Sequence, residues 1–70
     1  METRSDRFKR LATRRTNDVL NKLRLLGNLS NKANYEYSEE EINKIFSVID
    51  SRLRTIKVLF SKGSKKEFKL

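Results

Sequence analysis

Gly27-Asn-Leu-Ser-Asn-Lys-Ala-Asn-Tyr-Glu-Tyr-Ser-Glu-Glu-Glu-Ile42 is a stretch that ends one helix, connects it to another and starts the second. Its right-hand boundary is the sharper. Ser38 and Glu41 have the spacing of a capping box, in which the serine hydroxyl accepts from the third helical N–H and the glutamate reaches back to the serine N–H. Tyr37 and Ile42 occupy the two positions of a hydrophobic staple, and Glu39, Glu40 and Glu41 load the first turn with acid, where the helix dipole favours it. Gly27 stands where a glycine in the left-handed conformation would cap a preceding helix, ending it at Leu26 or fraying it through Leu29. Asn28, Asn31 and Asn34 are turn formers. Tyr35, Glu36 and Tyr37 alternate as extended backbone does, with Tyr35 expected to pack beneath the connector.

Leftward, the pattern predicts a first helix over about residues 5–26, free of Pro and Gly. Thr3 with Asp6, or Ser5 with Asp6 beside it, supplies the N-cap. Phe8, Ala12, Val19, Leu23 and Leu26 form one stripe at helical spacing, weakened between Arg14 and Asp18. Rightward, Ile42, Phe46, Ile49, Leu53, Ile56 and Phe60 repeat at steps of four and three. That is a coiled-coil-like seam across a helix of about residues 38–60. Residues 61–70 contain Gly63 and four lysines and are expected to form a basic flexible tail.

Two helices of about 22 residues, each roughly 33 Å long, joined by the 27–37 connector predict an all-α fold. Its architecture is a two-helix antiparallel hairpin spanning residues 1–60. Turning the chain at the connector sets Leu26 near Ile42, Leu23 near Phe46, Val19 near Ile49, Ala12 near Ile56 and Phe8 near Phe60. A single hairpin seam cannot hold Leu11, Leu20, Ile45, Val48 and Leu59 as well. The expectation is therefore a homodimer packed as a four-helix bundle, or docking onto a larger partner, with those five residues as the partner contact.

Composition narrows the chemistry. With no Cys and no His among 70 residues, disulfides, thiolate metal sites, the commonest metal ligand and the usual general base are all missing. The first-turn glutamates are adjacent on a helix and do not converge on one ion, so neither metal nor cofactor is expected. No phosphate loop, nucleophile elbow or usefully spaced carboxylate pair occurs, so the chain reads as a binding protein rather than an enzyme. No apolar run approaches the 18 or so residues of a membrane span, and no Trp is available as an interfacial anchor. The expectation is a cytoplasmic protein that uses no membrane.

Charge supplies the functional signal: 17 Lys and Arg against 9 Asp and Glu give a net of +8. The excess is uneven, +10 over residues 1–15 and 51–70 together and −2 over residues 16–50. In a hairpin the positive segments share the open end. The candidate site is therefore Arg4, Arg7, Lys9, Arg10, Arg14 and Arg15 with Arg52, Arg54, Lys57, Lys62, Lys65 and Lys66. Arg forks phosphate oxygens and Lys attracts them at range, so a nucleic-acid backbone, DNA or structured RNA bound without sequence specificity, is the expected partner. An acidic protein surface, with the chain as adaptor or inhibitor, is the alternative. The connector is too long for a helix-turn-helix.

Overall fold

A computed structural model describes residues 1–62 of the protein, and their regular structure is entirely helical. Helix α1 spans Arg4–Gly27, a 3-10 turn follows at Asn28–Ser30, and helix α2 spans Glu39–Lys62, with no strand among the described residues. The chain divides into two units, Met1–Glu36 and Tyr37–Leu70, each built on one long helix. Both helices have 24 residues, so each is about 36 Å long.

At the start of α1, Thr3 is the cap that forms. Its backbone is extended, its Oγ1 accepts from the Asp6 N–H at 3.0 Å, and Asp6 Oδ2 accepts from the Thr3 N–H at 3.3 Å. This reciprocal pair satisfies two orphan donors and starts the helix at Arg4, one residue before the expected Ser5.

The expected left-handed cap at Gly27 does not occur. Gly27 has φ −61° and ψ −30°, ordinary right-handed helix. Instead the helix tightens into the 3-10 turn, with the Asn28 N–H donating to the carbonyls of Arg24 and Leu26, and the chain leaves helical geometry only at Asn31, φ −71° and ψ 100°. A tightened last turn serves orphan carbonyls without any positive φ, so the position makes no demand for glycine.

Asn31 then builds the turn expected of it. Its Oδ1 accepts from the Ala33 N–H at 3.0 Å, and its carbonyl accepts from Asn34 and Tyr35 at 3.1 and 3.0 Å. Residues 35–38 have no regular structure, and Tyr35 is exposed rather than packed under the connector.

Helix α2 begins as its sequence requires. Ser38 Oγ accepts from the Glu41 N–H at 3.1 Å, and Glu41 Oε1 accepts from the Ser38 N–H at 2.9 Å. Both staple residues, Tyr37 and Ile42, are half-buried. The far end runs past the expected Phe60, for Ser61 and Lys62 are helical rather than tail. Ser61 Oγ donates to the Lys57 carbonyl at 3.0 Å, and a lysine in the last turn suits the negative end of the dipole. The remaining tail, with Lys65 and Lys66, lies outside the described residues.

None of the described residues is buried. Half-burial is confined to Leu11, Ala12, Leu26, Tyr37, Ile42 and Ile49. The stripes on both helices are thus largely exposed apolar surface, with Val19 52% exposed on α1 and Phe46 49% on α2.

Candidate nucleic-acid interface

On an α-helix, residues three and four apart share a face, which splits the six α1 cations into two sets. Arg7, Arg10 and Arg14 follow one another at steps of three and four along one side of α1. At about 100° per residue, that side is opposite the Phe8–Ala12–Val19–Leu23–Leu26 stripe. Arg15 falls inside the stripe, three residues after Ala12 and four before Val19. Arg4 lies four residues before Phe8 on the stripe's border, and Lys9 belongs to neither row. The α1 cations therefore do not form one cluster, and the Arg14-Arg15 pair points two ways. All six side chains are exposed.

The Arg7–Arg10–Arg14 row continues with the same three-and-four step through Asn17, Asn21 and Arg24, which a search for cations alone overlooks. Arg7, Arg10, Arg14, Asn17, Asn21 and Arg24 make a line about 26 Å long at 1.5 Å per residue, with Asp18 beside it, four residues after Arg14 and three before Asn21. Two of its members are held. Arg10 forks Glu2, Nε to Oε1 at 2.7 Å and Nη2 to Oε2 at 3.3 Å, and Arg24 Nη2 donates to Asn21 Oδ1 at 2.9 Å. The Arg7 and Arg14 side chains have no partner among the described residues. The nearest acids are Asp6, engaged at the Thr3 cap, and Asp18, which sits with Leu11 and Leu25 along the border between row and stripe.

The α2 cations do not gather. Arg52 stands in the line Ile45, Val48, Arg52, Thr55, Leu59, directly beside the main seam. Arg54 and Lys57 are neighbours on a different side, and Lys62 closes the last turn. The proposed partner contacts sort similarly. Ile45, Val48 and Leu59 share that one line on α2, whereas Leu11 and Leu20 lie on opposite flanks of the α1 stripe, so one flat partner surface cannot cover both.

Of the acids, Glu41 is held below the ordinary glutamate range, first by the backbone N–H of Ser38 and then by its side chain. This makes Glu41 a structural anion at the start of α2. Among the described residues, no three His, Cys, Asp or Glu side chains are grouped to hold a metal ion, and no helix is long and apolar enough to cross a membrane. Comparison with family models, with curated proteins and with solved structures gives no match.

Proposed function

We propose that this chain is a small basic helical hairpin, a binding protein rather than an enzyme, that self-associates and grips nucleic-acid phosphates. The observation that carries the reading is the exposed side of α1 on which Arg7, Arg10 and Arg14 follow one another without an intervening acid. It lies opposite the apolar stripe, so covering that stripe leaves this side facing solvent. Arginines presented in this way suit phosphate oxygens, and the uneven charge of the chain suits a polyanion.

The hairpin and its dimer rest on the open stripes. Burying side chains such as Val19, Phe46 and Leu53 is worth ~1.5 to 3 kcal/mol each, which gives both helices a strong reason to pair. Antiparallel pairing in the register of Phe8 with Phe60 and Leu26 with Ile42 would put Leu11 and Leu25 on the same flank of the pair as Ile45, Val48 and Leu59. That flank is an apolar strip suited to a second copy.

The test is fluorescence anisotropy of a labelled 16-base-pair duplex, titrated with the full chain at several salt concentrations. Binding should weaken linearly in log salt, with a slope of about −0.9 per phosphate neutralised. Replacing Arg7 and Arg14 together by alanine should make the slope shallower by about 1.8 and leave the helical circular dichroism unchanged. Absence of binding to any duplex at micromolar protein and low salt would overturn the reading. In that case capture of an acidic protein from nuclease-treated lysate would favour the adaptor alternative.

A further inference from the structure

The row on α1 contains more than phosphate contacts. Its centre is Asn17 and Asn21, one helical turn apart, with Arg14 before them and Arg24 after. We propose that this face of α1 enters the major groove of duplex DNA and reads adenines through Asn17 and Asn21, with the flanking arginines on the phosphates of the two groove walls. The proposal rests on the nucleic-acid reading above and names its substrate and its base-reading residues.

Three observations carry it. First, the chemistry of the pair: an asparagine amide offers one acceptor and two donors in a plane, the complement of the N6 donor and N7 acceptor that adenine shows in the major groove. Solvation alone would be served as well by Glu or Lys, and neither occurs in the row. Second, the dimensions: Arg14 and Arg24 are ten residues apart, about 15 Å along the axis, and the B-form major groove is about 12 Å wide and admits a helix. With the reach of their side chains, arginines at that separation can meet both walls while the amides between them face the base edges. Third, orientation: Arg24 Nη2 donates to Asn21 Oδ1 at 2.9 Å. That bond uses one of the two lone pairs of Oδ1 and leaves the second, with both amide hydrogens, for a base. It also leaves four of the five guanidinium donors of Arg24 for phosphate. Arg24 is thus a positioning residue for Asn21 as well as a phosphate contact.

Duplex RNA makes a different prediction, because the A-form major groove is deep and too narrow for side chains to read. The amides would then contribute nothing, and binding would rest on the arginines alone.

The experiment selects from a 20-base-pair DNA duplex library with a randomised core, using the full chain, and measures anisotropy on the selected duplex, an unselected duplex and a duplex RNA of equal length. The expected result is enrichment of adenine at two core positions about two base-pair steps apart, since residues four apart are separated by about 6 Å along the helix. The selected DNA should bind at least tenfold tighter than the RNA. Asn17→Ala and Asn21→Ala should each abolish selection at one position and weaken the selected duplex by about 5- to 150-fold. Binding of the unselected duplex should stay within twofold. Arg24→Lys should blur the position read by Asn21 without affecting that read by Asn17. If duplexes are bound but no base is enriched, or if RNA binds as well as selected DNA, or if both alanine variants select as the parent does, the groove-reading proposal fails and the phosphate reading survives. If no nucleic acid is bound, both fall.

Discussion

The ion pair between Arg10 and Glu2 gives the phosphate reading its most specific test. Arg10 lies in the middle of the arginine row, yet both of its interacting nitrogens are directed at one carboxylate, at 2.7 and 3.3 Å. Glu2→Gln removes the charge with little change in shape. The two side chains are 58% and 38% exposed, so the pair is a surface one worth ~0.2 to 1 kcal/mol. That is the amount a phosphate must overcome to claim Arg10, and freeing it should tighten duplex binding by about 1.4- to fivefold at low salt. If the released guanidinium takes up one further phosphate, the dependence of log affinity on log salt should also steepen by about 0.9. Anisotropy titrations between about 50 and 200 mM salt measure both quantities. Glu36→Gln makes the same change in net charge away from the row and should have a smaller effect, while the gain from Glu2→Gln should vanish in an Arg10→Ala background. Equal gains from the two glutamine variants, or a gain that survives loss of Arg10, would refute the argument, because net charge alone would then account for the effect.

Four further outcomes follow from local structure. Ser38→Ala removes the α2 cap and should cost ~1 kcal/mol, or about 4 to 8 °C in melting temperature for a domain of this size. Ser47→Ala, within the same helix, should be neutral or slightly stabilising. Because the Glu41 pKa is depressed on folding, its contribution is fully present above the ordinary glutamate range and is lost as pH falls below that range through the lowered pKa. An acid titration followed by circular dichroism should show that loss, and Glu41→Gln should remove its part of it. Gly27→Ala should stabilise the chain by roughly 0.5 to 1 kcal/mol, since the backbone is right-handed and nothing lies within 4 Å of the added methyl; a drop in melting temperature would contradict the observed conformation. Ile49→Ala, at the centre of the α2 seam, should cost ~2 to 5 kcal/mol if the stripes pack as proposed. Light scattering should then show dissociation of the dimer, whereas an unchanged, cooperatively melting monomer would count against the paired stripes.

Helix boundaries were most legible where a side chain within three residues decides them. Ser38 with Glu41, and Thr3 with Asp6, are read directly from spacing because capping is a contact between near neighbours. The Asn31 turn is of the same kind. Gly27 misled for a physical reason. Glycine permits a left-handed cap but does not impose one, and the following residues satisfy the last carbonyls by tightening into a 3-10 turn. The end of α2 was placed short because the apolar period stops at Phe60, while the backbone continues through a Ser61 hydroxyl bonded to the Lys57 carbonyl.

The candidate site was legible as a charge excess and not as a surface. Counting lysines and arginines put Arg14 and Arg15 in one group, although adjacent helical residues are about 100° apart, so one joins the open row and the other interrupts the apolar stripe. The amides of Asn17 and Asn21 escaped notice because they carry no charge, though the three-and-four step that places them was present in the sequence throughout.

By itself, then, the sequence determined two long helices, their N-terminal caps, the apolar stripe on each and the chain's own excess of positive charge, because all of these are set by composition, propensity, spacing and contacts within a turn. Only the three-dimensional structure decided that Gly27 is right-handed, that Arg24 holds Asn21 and that Glu2 reaches Arg10 across eight positions. The physical reason is that such pairings depend on where particular atoms come to rest in space, and neither residue type nor periodicity specifies that.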